Sequence, residues 1–365
     1  MCTTDVPFVP LHCPRSDCAY HRSRPGWRWS HFGYYTRQCS PQRIQRFRCD
    51  HCKRTFSTQT FSTTYWLQRP DLQLKLANGT LCCSGYRQLA RAHDCAPGTV
   101  KTQVSRIGRH ALLLLEQNRP TAPVAEAVVI DGFESFAYSQ FHPLYLNLVL
   151  GAGSHYAYAF THSPLRRKGR MTKKQRDRRE ELEAEDGRPD PKAIESGTRL
   201  ALELAVRVPQ PLTVRSDEHK AYPRALSRMT GYAIRQEVTS SRAARTPANP
   251  LFPVNRMDLW IRQNGANHKR ETIAFSKRHQ AVVERAAWLL VWLNLVKPFS
   301  ENHGGGTPAM RLGLRERRLT VAELFEKRLF LQHVGLPDEY RRYYFADVRM
   351  ARIPNEHHHR LKLAV

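Results

Sequence analysis

The chain has 365 residues, which is enough for a sizeable hydrophobic core and for two or three domains. Its 58 Lys and Arg against 32 Asp and Glu leave a formal net charge of +26. This excess favours a polyanionic partner, because cationic side chains neutralise phosphates and release condensed counterions. A basic ribosome-associated factor would carry the same surplus, so nucleic acid is the expected partner in either case.

Membrane and secretory proteins are not expected from this sequence. The N-terminal MCTTDVPFVP lacks the apolar core of a secretory signal. The longest apolar stretch, AAWLLVWLNLV at 286–296, falls short of the roughly 20 residues that span a bilayer. A cytoplasmic protein is therefore expected, and in that reducing setting its nine cysteines are more plausible as metal ligands and core residues than as disulfides.

Residues 1–66 carry two close cysteine pairs. CPRSDC contains Cys13 and Cys18, and CDHC contains Cys49 and Cys52. Two such pairs about thirty residues apart suit one tetrahedral Zn²⁺, because each pair sits on a tight turn and the fold closes when the thiolates meet on the metal. The pattern predicts a structural zinc ribbon. The remaining candidates nearby are interpreted as surface or packing residues (His12, His21, Cys39 and His51), and three later cysteines as core residues (Cys82, Cys83 and Cys95).

Residues 67–118 predict a helix-turn-helix. Pro97 suits the first position of a helix, and an apolar stripe follows it at helical spacing (Val100, Val104, Ile107 and Ala111). The opposite face carries polar and basic side chains suited to a DNA groove: Lys101, Thr102, Gln103, Ser105, Arg106 and Arg109. An ordinary helical hairpin with a solvated face fits the pattern equally well. The adjacent zinc pattern and the positive charge favour DNA.

Residues 124–300 alternate between strand and helix patterns. Strands are predicted near 127–130, 144–150, 156–160, 211–216 and 233–238, with a helix near 192–207. Three strands followed by strand-helix alternation predict a mixed sheet flanked by helices. A charged insertion at 163–192 is either disordered or a solvated helix, and 301–365 is expected to be a helical tail.

Two aspartates follow predicted strands in this region. Asp131 is expected to end one strand and Asp217 another, so their carboxylates would lie side by side if the strands are neighbours. Two close carboxylates repel each other and therefore call for a cation. Oxygen ligands select Mg²⁺ or Mn²⁺, and two such ions about 4 Å apart can hold the attacking and leaving oxygens of a phosphoryl displacement. Asp258 is the candidate third acid, with Asn255 one helical turn before it and Arg262 one turn after it. The alternative interpretation of Asp131 and Asp217 is that they only cap the ends of their strands. Glu126, Glu134 and Glu218 are nearby acids expected to be bystanders.

Taken together, these segments resemble a DDE-type transposase of a bacterial insertion sequence, which has an RNase H-like catalytic core. The resemblance is carried by five segments in the family's order: IQRFRCDHCKRTFS, GYRQLARAHDCAPGTVKTQVSRIGRHA, VVIDGFESF, LTVRSDEHKAY and NRMDLWIR. RETIAFSKRH and WLNLVKPFSENHGGGTPAMRLGL resemble the segments that follow in these enzymes. The family usually has Glu as its third acid, whereas this chain has Asp258, and Asn255 remains an alternative third ligand.

The resemblance implies an α/β fold with an RNase H-like mixed sheet, preceded by the zinc ribbon and the helix-turn-helix. It implies a Mg²⁺- or Mn²⁺-dependent enzyme that binds the terminal inverted repeats of its element, cuts the ends and joins them to target DNA. Asp131, Asp217 and Asp258 would hold the metal ions. Arg262 and Lys269 are expected near phosphate, and the basic run 163–176 is expected to add affinity without specificity. A homodimer or higher assembly is also implied, since two ends must be paired.

Two other functions remain open at this stage. A DNA-binding regulator could retain the ribbon and the helix-turn-helix while its catalytic core is inactive. An RNase H-like nuclease could use the same carboxylates for hydrolysis without strand joining.

Overall fold

The computed structural model describes residues 8–269, 272–302 and 304–353. Its architecture is mixed α/β, with a three-stranded antiparallel sheet and a five-stranded mixed sheet flanked by helices. The prediction of a mixed sheet flanked by helices is therefore confirmed. The start of RETIAFSKRH, at 270–271, and the end of the predicted tail, at 354–365, lie outside the described residues.

The N-terminal sheet forms a small unit around the cysteine pairs. Its strands pair in the order β1-β2-β3, with bounds β1 Trp29–Thr36, β2 Arg43–Cys49 and β3 Thr55–Ser57. The core of this unit contains three cysteines together with the buried rings of Phe47, Phe56 and Phe61. So few apolar groups rarely stabilise a fold unaided, which makes a bound metal an expected part of this unit.

Three helices follow the ribbon and pack onto the rest of the chain. They are α1 Leu72–Leu81, α2 Tyr86–Ala92 and α3 Pro97–Gln117. The predicted apolar stripe of α3 is buried against a later helix, α8 His279–Leu295. Gly108 permits this close approach, because a Cβ there would lie 2.5 Å from the Cβ of Glu284. The three helices consequently share one hydrophobic core with the large sheet.

The five-stranded sheet has the order β6-β5-β4-β7-β8. The central strand β4 pairs antiparallel with β5 and parallel with β7, β6 pairs antiparallel with β5, and β8 pairs parallel with β7. The bounds are β4 Val128–Phe136, β5 Pro143–Gly151, β6 Ala157–Pro164, β7 Leu212–Ser216 and β8 Ile234–Val238. The central strands are buried on both faces, which requires helices on each side.

Helices cover both faces of the large sheet. One face carries α5 Ala193–Ala205 and α6 Ala221–Leu226, and the other carries α7 Phe252–Asn264 and α8. Successive residues of β5 divide between the two faces, as the pleat of a strand requires. Asn147 accepts a hydrogen bond from Thr198 of α5, whereas Leu146 and Leu148 line a cavity with Trp288 of α8.

The C-terminal segment covers the free edge of β6 and returns to the ribbon. Its helices are α9 Pro308–Arg311, α10 Leu331–Val334 and α11 Asp338–Tyr344. The backbone N–H groups of Phe160 and His162 donate to the hydroxyls of Tyr340 and Tyr343, at 3.1 and 2.9 Å. An open strand edge is thereby satisfied by side chains of α11. The Arg328 N–H donates to the Phe61 carbonyl at 3.0 Å and links this segment to the ribbon.

The charged insertion is helical and solvated. Helix α4, Lys173–Asp186, begins at a Thr172 cap and buries only Leu182. The short 3₁₀ helices elsewhere span Ala19–His21, Thr58–Phe61, Ala266–His268 and Glu323–Phe325. Within the described ranges, no helix is both long enough and apolar enough to cross a membrane.

Two sequence-based expectations are wrong. Asp131 does not end its strand: β4 continues to Phe136 because its antiparallel pairing with β5 persists to that residue. Cys82 and Cys83 are expected in the core, but Cys82 is exposed and Cys83 is half-buried outside the hydrophobic core, because both lie past the last residue of α1.

The contact between α3 and α8 yields a test with an internal control. Gly108→Ala is expected to destabilise the chain by about 1–3 kcal/mol, because the new methyl group overlaps Glu284. Gly98→Ala, in the same helix, meets no atom within 4 Å and is expected to be neutral or slightly stabilising. Denaturant unfolding monitored by circular dichroism measures both. Equal stability of the two variants would contradict the close packing.

Candidate functional site

The four predicted zinc ligands converge. One sulfur atom from each of Cys13, Cys18, Cys49 and Cys52 lies within 4.8 Å of the other three. The Cys13–Cys52 and Cys18–Cys49 sulfur separations are 3.7 and 4.0 Å. A tetrahedral zinc with Zn–S bonds of about 2.3 Å places its sulfurs roughly 3.8 Å apart. The cluster therefore has the donor atoms and the spacing of a structural zinc site.

Neighbouring groups prepare one of these thiols for a metal. Burial opposes ionisation of Cys49, but hydrogen bonds from the Trp27 indole and from the backbone N–H groups of His51 and Cys52 outweigh it and lower the pKa of Cys49 to about 7. The Trp27 Nε1 atom lies 3.3 Å from the Cys49 sulfur. A thiolate is the form that binds zinc, so these donors favour metal binding.

The second candidate site lies where β4 and β7 separate. Val128 pairs with Val214 and Val129 with Arg215 in the parallel ladder. Continuing this register by two residues brings Asp131 level with Asp217, which directly follows the last residue of β7. Asp131 also faces α7, because Phe133 two residues later lies beneath Arg262 of that helix at 4.8 Å. Asp258 lies on the same helix.

Asp131 is held by its own neighbours. Its Oδ1 accepts hydrogen bonds from the Gly132 N–H at 2.7 Å and from the Tyr222 hydroxyl at 3.0 Å. The Tyr222 hydroxyl is in turn 2.9 Å from that of Tyr145. Because the single Tyr222 proton points to Asp131, Tyr145 must donate to Tyr222. A tyrosine pair therefore fixes the orientation of the carboxylate.

The glycine after Asp131 has a specific structural cause. A Cβ at position 132 would lie 1.7 Å from Cε1 of Tyr145, so only glycine lets this ring cross β4. No sequence pattern indicates a role for Gly132, Tyr145 or Tyr222. The VVIDG and SDEHKAY segments contain two of these residues, but Tyr145 lies in a strand whose pattern shows only burial.

The electrostatics of the three aspartates are coupled. Burial raises the pKa of Asp131, and the charge of Asp217 raises it further. Burial likewise raises the pKa of Asp258 to about 7, with a further contribution from Asp131 that Arg262 and Arg245 oppose. Burial raises the pKa of Tyr145, and the charges of all three aspartates add to this effect. The carboxylates therefore share one partly buried neighbourhood.

This donor set fits a hard divalent cation. Within the described ranges, none of the three aspartates forms an ion pair with Lys or Arg, so their mutual repulsion is not offset by a salt bridge. Carboxylate oxygens are the ligands preferred by Mg²⁺ and Mn²⁺. Carboxylate oxygens from the three aspartates do not all lie within 4.8 Å of one another, whereas the sulfur atoms of the four cysteines do. The arrangement is thus wider than a site for one ion held by all three residues. Asn255 is half-buried on the same helix and remains the alternative third ligand.

The predicted DNA-reading face of α3 divides into exposed and interior residues. Lys101 and Thr102 are exposed, whereas Gln103 and Arg109 are 3% and 5% exposed. The Gln103 amide donates to the Arg69 carbonyl, and Ser105 donates to Glu284. Arg106 donates to the carbonyls of Thr63 and Tyr65. Gln103, Ser105 and Arg106 therefore connect α3 to its neighbours.

Other exposed cations lie beside this helix and on the ribbon. Arg87 and Arg91 of α2, the helix that precedes α3, are exposed, and no sequence pattern singles them out. Arg43 lies 3.9 Å above the ring of Tyr34, and Arg46 lies 4.9 Å from that of Phe32, both on the ribbon surface. Among the predicted phosphate contacts, Lys269 is exposed and Arg262 is half-buried against Phe133.

Among the expected bystanders, Glu126 has a structural role. It accepts hydrogen bonds from the backbone of Gly153 and Ser154 and from the Tyr158 hydroxyl. It therefore fastens the turn between β5 and β6.

Comparisons with known proteins identify no family. No family model matches the chain, and no curated protein matches it. One solved structure that it resembles is described as the cryoEM structure of the simian T-cell lymphotropic virus intasome in complex with PP2A regulatory subunit B56 gamma. That match has 13% identity and a TM-score of 0.26, and it covers 68% of this chain and 74% of the other. A similarity of this size carries no argument about fold or function.

The cysteine cluster predicts metal-dependent folding of the ribbon. Cys49→Ser is expected to lose the bound zinc and to expose Trp27 and Trp29, because the metal supplies the closure that the small core lacks. Cys82→Ser is the matched control, since Cys82 is exposed and outside the cluster. Zinc content and tryptophan fluorescence measure the effect. Equal zinc content in both variants would refute the assignment.

The raised pKa of Asp258 predicts a pH-dependent cost to stability. The folded state retains this proton up to about pH 7, whereas the unfolded carboxyl loses it near pH 4. Stability therefore falls as pH rises between these values. Asp258→Asn is expected to raise the melting temperature at pH 8 without divalent metal and to have little effect at pH 4. Added Mg²⁺ should stabilise the original chain more than the variant. A variant less stable than the original chain at pH 8 would contradict this electrostatic account.

Proposed function

We propose that this chain is a DDE-type DNA transposase: a metal-dependent enzyme that cuts the ends of an insertion sequence and joins them to target DNA. The observations that support the proposal are the parallel register of β4 and β7, which brings Asp131 level with Asp217 when it is continued past its last pair, and the charge coupling of Asp131 to Asp217 and Asp258. Three antiparallel strands followed by two parallel ones, with helices on both faces, also support an RNase H-like core.

Asp131, Asp217 and Asp258 would hold the divalent ions, with Asn255 as the alternative to Asp258. When bound, Mg²⁺ or Mn²⁺ would supply charge stabilisation and a more acidic water. Tyr222 would orient Asp131, and Tyr145 would orient Tyr222 through their hydrogen bonds. Oriented ligands matter because misplacement by about 1 Å costs roughly 100-fold in rate.

DNA binding would use the exposed cations. Lys101 and Thr102 of α3, together with Arg87 and Arg91 of α2, would contact DNA at the helix-turn-helix. On the ribbon, Arg43 and Arg46 stack over Tyr34 and Phe32, an arrangement suited to phosphate and base contacts. The basic run 163–176 and Lys269 would add sequence-independent affinity. Pairing of two DNA ends would require a dimer or a larger assembly.

The test uses purified chain, DNA flanking its gene, and Mg²⁺ or Mn²⁺. Asp131→Asn and Asp217→Asn are each expected to reduce end nicking and strand joining by at least about 100-fold, because each removes a charge that holds metal. Their DNA affinity should change little. Glu134→Gln is the matched control, since Glu134 is an exposed acid on the same strand; it should retain activity.

Two other results of this cleavage and joining assay would each indicate a different function. Specific binding without metal-dependent cleavage, in the original chain and the variants alike, would refute the enzyme and leave a DNA-binding regulator. Cleavage that depends on both aspartates but never yields joined products would indicate a hydrolytic nuclease instead.

A further inference from the structure

A second cluster of metal-binding side chains lies at the junction of the ribbon and the C-terminal segment. It consists of His12 and His21 from the ribbon and His333 from α10. Each offers a ring nitrogen within 4.8 Å of those of the other two. The ring centroids are 4.2 Å apart for His12 and His333 and 4.6 Å for His21 and His333. From the sequence alone, His12 and His21 are expected to be surface or packing residues.

Backbone carbonyls fix which nitrogen of each ring carries a proton. The Nδ1 atoms of His12 and His21 lie 3.0 and 2.8 Å from the Cys13 carbonyl, and the His333 Nε2 atom lies 2.8 Å from the His21 carbonyl. A carbonyl only accepts, so these nitrogens must donate. The lone pairs are then left on Nε2 of His12, Nε2 of His21 and Nδ1 of His333.

This is the pattern of metal-binding histidines, in which one ring nitrogen donates to the protein and the other faces the ion. His21 is 2% exposed, and its Nε2 atom has no hydrogen-bond partner among the described residues. Leaving a buried acceptor unpaired costs free energy that a ligand would recover. Buried imidazoles without an ion would instead be expected to pair with one another or with another donor.

We propose that His12, His21 and His333 form a second metal site, distinct from the four-cysteine site, for a divalent ion of the zinc class. Three imidazoles suit Zn²⁺, Co²⁺, Ni²⁺ or Cu²⁺ rather than Mg²⁺. Tetrahedral zinc with Zn–N bonds of about 2.0–2.1 Å needs nitrogens roughly 3.3 Å apart, and one nitrogen from each ring lies within 4.8 Å of the others. His333 is exposed, which leaves the fourth position open to water.

The site would join two distant parts of the chain. His21 and His333 are separated by 312 positions, and the same C-terminal segment places Tyr340 and Tyr343 on the edge of β6. The ion would therefore hold the ribbon to the segment that covers the large sheet. Cross-links between distant residues stabilise most when the enclosed loop is long.

The experiment measures metal content and cobalt absorption of the full chain. The original chain should bind one Co²⁺ with thiolate charge-transfer absorption and one more with only ligand-field absorption. His333→Gln and His21→Gln should lose the second ion and keep the first, whose thiolate absorption also reports that the ribbon is folded. His93→Gln, at a half-buried histidine directly after α2, is the matched control and should bind both.

A second measurement follows the C-terminal segment itself. Hydrogen exchange at 331–344 should slow when metal fills the histidine site in the original chain, and should not respond in His333→Gln. Two results would overturn the proposal. One is a single bound ion per original chain, which would indicate a packed histidine cluster only. The other is a second ion that persists in both variants or binds only at millimolar metal, which would indicate adventitious binding.

Discussion

The pairing of β4 with both β5 and β7 is the constraint on which the candidate active site depends. β4 runs antiparallel to one neighbour and parallel to the other. The parallel ladder ends early, while the antiparallel ladder continues to Phe136, so the sheet opens beside Asp131. A carboxylate in that opening reaches Asp217 on one side and α7 on the other without leaving a regular strand.

The opening is filled by side chains that have no charge of their own. Gly132 makes room for Tyr145, and the two tyrosines then carry a hydrogen bond to Asp131. This arrangement orients an acid without neutralising it. A Lys or Arg at the same place would stabilise the apo protein, but it would compete with a metal ion for the carboxylate. Burial is the largest cause of the raised pKa values of Asp131 and Asp258, and repulsion from a neighbouring aspartate adds to it.

The N-terminal part is joined to the large sheet by two kinds of contact. Gly108 lets α3 lie directly on α8, and Gln103, Ser105 and Arg106 of α3 donate hydrogen bonds to neighbouring protein groups. Lys101 and Thr102, in the first turns of α3, are the residues of the predicted DNA-reading face that stay exposed. At the ribbon, the C-terminal segment supplies the second connection.

The sequence by itself determined the elements and the cysteine site. Apolar residues that recur every two positions predict strands, and those that recur every 3.6 positions predict helices, because the pattern records which side chains of one segment are buried. The short spacing within each cysteine pair likewise brings two thiolates together. All five strands of the large sheet, the solvated insertion and the four converging sulfurs were predictable for these reasons. Only the tertiary structure decided which polar residues meet across distant segments. The strand that continues past Asp131, the tyrosine pair and the approach of His333 to His12 and His21 depend on long-range packing, and no local pattern encodes such contacts.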